Sequence, residues 1–107
     1  MVTLFGKEFS INSIKIIISK VKIESLSVDT FDKFENLQFL YFTDCEIVSW
    51  SEHAFDRLTS LKCLHMVDCK ITSWSERIFD KLTSLKFLHI VNCGITSLPK
   101  QIFDKLT

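Results

Sequence analysis

Apolar positions in this chain follow a short alternation nested inside a long repeat. Leu58, Leu61, Leu64, Met66, Cys69 and Ile71 are answered 24 residues later by Leu82, Leu85, Leu88, Ile90, Cys93 and Ile95. They are preceded, again by 24, by Phe34, Leu37, Leu40, Phe42, Cys45 and Ile47. A partial copy lies upstream in Ile16, Ile18, Val21, Ile23, Leu26 and Phe31. Self-similarity at a fixed period of this length predicts a solenoid, in which each unit buries its apolar face only against its neighbours. Within each unit Leu64 and Met66 alternate with Cys63, His65 and Val67, which is the two-residue period of a strand. Strands are therefore expected at 15–19, 39–43, 63–67 and 87–91, paired in parallel and lining one face.

The remainder of each unit predicts the opposite side. Phe31, Phe55, Phe79 and Phe103 form one column, expected to be a dry aromatic spine behind the sheet. Leu26, Trp50, Trp74 and Leu98 form another. The return through Ser73–Lys81 reads as turns, extended backbone or a single helical turn. Ser51 or Ser75 would cap such a turn, with Glu52 or Glu76 near its positive end and Pro99 suited to the first-turn position. The expected fold class is thus an α/β solenoid with a parallel sheet and a mostly irregular convex side. It forms one domain, 1–107, with repeats at approximately 10–33, 34–57, 58–81 and 82–105. Residues 1–9 are a candidate N-terminal cap, as a small hairpin or strand. In the first repeat Ser10 and Ser13 stand where Leu58 and Leu61 stand later, as expected of an atypical terminal unit. Leu106-Thr107 begins another unit, so the chain reads as a segment of a longer array.

The three in-register units match the leucine-rich repeat pattern L-x-x-L-x-L-x-x-N/C-x-L. The stretch Ile95-Thr96-Ser97-Leu98-Pro99-Lys100-Gln101-Ile102-Phe103-Asp104-Lys105-Leu106-Thr107 narrows the likeness. It resembles the typical, 24-residue class of extracellular leucine-rich repeats, which includes Toll-like receptors, small leucine-rich proteoglycans and the variable lymphocyte receptors of jawless vertebrates. The resemblance covers about residues 10 to 107. It implies a horseshoe segment, ligand or antigen recognition on the concave face, and an extracellular location. The chain differs from that class in its Cys45, Cys69 and Cys93 column, where asparagine is usual. It differs also in Trp50-Ser51 and Trp74-Ser75, where Leu-Pro is usual.

Composition narrows the functions. Thirteen basic and thirteen acidic residues give a formal charge of zero. Clustered positive charge, the footprint of nucleic-acid or anionic-membrane binding, is not seen. Asp32-Lys33, Asp56-Arg57, Asp80-Lys81 and Asp104-Lys105 read as a solvated convex edge. Ile14-Lys15-Ile16-Ile17-Ile18 is too short to span a bilayer, and Met1–Ser10 lacks the features of a secretory leader. A cytoplasmic location is the alternative to the one the resemblance implies.

Cys45, Cys69 and Cys93 are expected to be buried, reduced and inert, filling apolar space and bonding weakly to backbone. A disulfide between neighbouring rungs and a zinc site are the competing readings. Cys63 interrupts the outward series Phe39, Cys63, Phe87 and is read as an exposed thiol. His65 and His89 share a column with Tyr41, and a metal site there lacks further ligands. His53 lies on the convex return with no partner evident in the sequence. No nucleophile, base and orienting group converge, and no Gly-rich phosphate loop occurs, so no catalytic residues, cofactor or metal are expected.

The candidate site is the outward face of the sheet. Its columns are Lys15, Phe39, Cys63, Phe87, then Ile17, Tyr41, His65, His89, then Ser19, Thr43, Val67, Val91. Contiguous apolar and aromatic surface of this kind suits a protein interface. Phe39, Tyr41, Cys63, His65, Val67, Phe87, His89 and Val91 are the expected ligand contacts, with Lys20, Asp44, Asp68 and Asn92 as a polar rim. The expected function is non-enzymatic recognition of a protein or other macromolecule. The alternatives are a self-assembling repeat fragment, with a homodimer as the expected form, and a cytosolic adaptor.

Overall fold

A computed structural model describes residues 1–71 and 77–93. Trp74, Ser75, Glu76, Ile95, Leu98, Pro99, Phe103 and residues 106–107 lie outside the described residues. The chain opens with a hairpin of β1 (Val2–Leu4) and β2 (Lys7–Phe9), paired antiparallel. Four strands of five residues follow: β3 (Lys15–Ser19), β5 (Phe39–Thr43), β7 (Cys63–Val67) and β9 (Phe87–Val91). They form one parallel sheet in the order β3-β5-β7-β9. Ile17, Tyr41, His65 and His89 stand opposite one another in register, as do all the other columns. The expected strands are thus present at the expected bounds, because the alternation of apolar and polar positions leaves only one register in which every inward side chain is buried.

The inward residues Ile16, Leu40, Leu64, Ile18, Phe42 and Met66 are all buried, while Leu88 and Ile90 are half-buried on β9. Behind them runs the aromatic spine. Phe31, Phe55 and Phe79 have no exposed surface. Phe55 and Phe79 stack with ring centroids 6.4 Å apart and an interplanar angle of 2°, and Phe31 lies 6.1 Å from Phe55. Trp50 meets Phe55 edge-on at 5.8 Å. Burial of each such ring stabilises the fold by roughly 1.5–3 kcal/mol.

A second parallel sheet was not expected. It consists of β4 (Lys22–Ile23), β6 (Glu46–Ile47) and β8 (Lys70–Ile71), in the order β4-β6-β8, and a Leu26–Trp50 bridge extends the pairing. Each strand carries one inward Ile of the Ile23, Ile47, Ile71 column. Two residues are too few for an alternation to be visible in the sequence.

The return between strands contains no helix among the described residues, so the α/β expectation gives way to a parallel β-solenoid. The reason lies in the spacing of the buried residues. Phe55, Leu58 and Leu61 are three apart and all face the core, as are Phe31, Phe34 and Leu37, and Phe79, Leu82 and Leu85. A 3.6-residue period would turn the third of each set away from the core, whereas three residues per turn keeps all of them on one side. The backbone complies: Leu58 N–H donates to Phe55 C=O at 3.0 Å and Leu61 N–H to Leu58 C=O at 3.2 Å, with equivalent bonds in the other units. Ser13 N–H bonds Ser10 C=O at 3.0 Å in the same way, so the first unit keeps the turn without the leucines. Ser51 caps a turn, as expected, accepting from His53 N–H at 3.1 Å through its hydroxyl and from Ala54 N–H at 3.0 Å through its carbonyl.

The N-terminal hairpin covers the first unit, with Leu4 buried and Val2, Phe5 and Phe9 packed against the core. Its two-residue turn is Phe5-Gly6, with φ of 51° and 82°. Two successive positive φ values are what a tight hairpin matching the strand twist requires, and Gly6 meets that at little cost.

Candidate recognition face

The outward side chains of the four-stranded sheet form an open face whose exposure varies across the strands. On the outer strands Ile17, Phe87 and Val91 are 49%, 60% and 50% exposed, and His89 is exposed too. On the inner strands Phe39, Tyr41, His65 and Val67 are half-buried by their neighbours. Cys63 departs from expectation. Its small side chain sits in register between Phe39 and Phe87 and is 6% exposed, so it is buried and not an exposed thiol. Burial first, then the neighbouring Cys63, raises the Tyr41 phenol above its ordinary value.

Three residues of one column, Tyr41, His65 and His89, form a continuous stack, and Lys15 joins it from the neighbouring column. Lys15 Nζ on β3 lies 5.3 Å from the centroid of Tyr41 on β5, within cation–π range. Tyr41 meets His65 on β7 edge-on at 4.7 Å. His65 in turn stacks on His89 of β9 at 4.6 Å and 17°. Burial first, then the neighbouring His89, holds His65 below its ordinary pKa. The sequence reading placed these residues in adjacent columns but left Lys15 and Ile17 out of the contact set. Lys15 could have been found from its diagonal relation to Tyr41 on the next strand.

The rim residues have a backbone role. Lys20, Asp44, Asp68 and Asn92 each follow a strand directly and have φ of 59°, 53°, 55° and 54°. Asp and Asn enter this left-handed region more readily than other side chains, which accounts for three of the four. Their N–H groups continue the ladder: Lys20 to Thr43 C=O at 3.0 Å, Asp44 to Val67 at 3.1 Å, Asp68 to Val91 at 3.0 Å. Asn92 Nδ2 also donates to Asp68 Oδ1 at 2.8 Å. These side chains border the face because the chain must turn there.

Cys45, Cys69 and Cys93 are buried free thiols just beyond that turn. Each Sγ points at two backbone carbonyls. Cys45 lies 3.4 Å from Ile18 O and 3.3 Å from Thr43 O; Cys69 lies 3.5 Å from Phe42 O and from Val67 O; Cys93 lies 3.1 Å from Met66 O and 3.3 Å from Val91 O. A hydrogen bond with Cys45, then burial, pushes the Cys69 thiol up. It is held in its protonated, unreactive form.

His53, on the return between strands, does have partners. Its Nδ1 lies 2.7 Å from Asp56 Oδ2 and its Nε2 lies 3.4 Å from Glu52 Oε1. These are exposed local contacts at spacings of one and three residues.

No protein-family model matches this chain, and no curated protein matches it. Among the described residues, no helix is long and apolar enough to cross a membrane.

Proposed function

We propose that the chain is a leucine-rich repeat segment of the typical class, and that it recognises a protein or other macromolecule on the concave side of its parallel sheet without catalysing a reaction. The observation that carries this is the open face itself. Ile17, Phe87 and Val91 leave about half or more of their surface exposed beside the Tyr41–His65–His89 stack. Contiguous apolar and aromatic surface marks a contact site. The repeat reading is supported by the in-register strands and by the Cys column, whose Sγ atoms meet backbone carbonyls where that pattern places Asn or Cys. Phe39, Tyr41, His65, Phe87 and His89 are the central contacts, with Val67 and Val91 beside them.

An extracellular location accords with the class the sequence resembles. The four free thiols favour a second reading, a cytoplasmic adaptor, since reducing compartments preserve them. Selection of a displayed peptide library on the folded chain tests the binding proposal. Selected peptides should lose binding to a Tyr41→Lys/Phe87→Lys variant and keep it to a convex Asp56→Ala/Asp80→Ala variant. Peptides that bind both variants equally, or no selected peptides at all, would count against it.

A further inference from the structure

The stacked imidazoles in the middle of the open face have a consequence for binding. His65 and His89 face each other at 4.6 Å and 17°, one on β7 and one on β9. The groups around them are identifiable. Tyr41 touches His65 from β5, Lys15 on β3 reaches Tyr41, and Cys63 lies on the same strand as His65. Asp44 and Asp68 stand past the strand ends, and Asp68 is engaged by Asn92. Among the described residues no carboxylate pairs with either imidazole, whereas His53 has two. The row Lys15, Tyr41, His65, His89 therefore carries one cation while both imidazoles are neutral and three once both are protonated, with no paired anion to offset them.

We propose that the His65–His89 pair makes the open face proton-gated: neutral, the two rings stack and complete an aromatic row that a partner can cover, and a proton on each sets like charges against one another, opens the stack and releases the partner. This rests on the recognition reading above. The mechanism follows from elementary electrostatics. Two cations in direct contact repel, and covering them with an apolar partner removes the water that would solvate them. The depressed pKa of His65, caused by burial and then by His89, has the direction this arrangement requires.

An NMR titration of the His65 imidazole in the full chain tests the gate without any ligand. In His89→Phe the ring remains and the charge goes, so the His65 midpoint should move up. In His89→Gln it should move up further, because the covering ring is lost as well. Added salt should raise the midpoint in the unaltered chain by screening the pair, a readout that requires no variant to fold. A His65 midpoint indifferent both to salt and to the charge at position 89 would overturn the proposal. A second arm uses the peptides selected on the open face. Their affinity should fall between pH 7.5 and pH 5.5 for the unaltered chain and stay level for His65→Phe/His89→Phe. Binding that is equally pH-dependent in that variant would also overturn it. The two failures are distinguishable. Coupled titration with no selected peptide would defeat the recognition reading, and the gate with it, and leave only the coupled titration of the two imidazoles, whereas peptide binding with uncoupled titration would defeat the gate alone.

Discussion

Two columns of this solenoid are built by the same repetition and end in opposite situations. Cys45, Cys69 and Cys93 recur every 24 residues in the interior; Tyr41, His65 and His89 recur every 24 residues on the open face. Both are ladders of polar or polarizable groups stacked rung on rung. In the interior each thiol sits against two backbone carbonyls, and Cys45 and then burial push the Cys69 thiol up. On the face the rings touch one another and water, and their charge state can change. Register alone therefore gives a column neither chemistry nor inertness. The side of the sheet on which the column falls decides that.

The largest effect should come from breaking the interior. Phe55 is fully buried and packs against Phe31, Trp50 and Phe79. Phe55→Ala should cost about 3–5 kcal/mol in urea unfolding. A cost below about 1 kcal/mol would show that the spine is not packed. Within the compared ladders, Cys69→Ala should cost about 1–2 kcal/mol, since it removes a buried sulfur and its carbonyl contacts. The four thiols should resist a labelling reagent until the chain is unfolded, and Cys63, at 6% exposure against 1–2% for the others, should be the first to react.

The face ladder should respond to acidification through His65. His65 is held below its ordinary value of 6.5, so on acidification the unfolded chain takes up this proton before the folded one. The contribution to stability is complete above pH 6.5 and is lost as pH falls through 6.5 toward the lower folded value. Comparing thermal midpoints of the unaltered chain and His65→Phe at pH 7.5 and pH 5.5 isolates it. The unaltered chain should lose more. The smallest effect is expected from Lys15→Ala, about 0.5–1 kcal/mol for an exposed cation–π contact, with no change at the cysteines.

Much of the fold was legible because burial and periodicity coincide. Leu40, Phe42, Leu64 and Met66 alternate with outward residues, and the strand bounds follow from them. The phenylalanine spine was legible for the same reason. What escaped had either too short a pattern or a cause outside the local sequence. The two-residue strands around Ile23, Ile47 and Ile71 are too brief to show a period. The absence of a helix on the described return hung on a three-residue spacing, Phe55-Leu58-Leu61, that differs from a helical one only over two turns. Cys63 was read as exposed from its outward position, and the shade of Phe39 and Phe87 arises only when three strands are side by side. The rim residues were read as a binding border, and their left-handed backbone supplies the more immediate reason for Asp44, Asp68 and Asn92.

The central claim is that units 24 residues apart stack in parallel register, with one ladder inside and one on the face. Nuclear Overhauser contacts between side chains test it most directly. The account predicts contacts from Tyr41 to His65, from His65 to His89 and from Phe55 to Phe79, with the neighbouring backbone contacts ordered as in parallel strands. Antiparallel cross-strand contacts, or side-chain contacts at offsets other than 24, would contradict it.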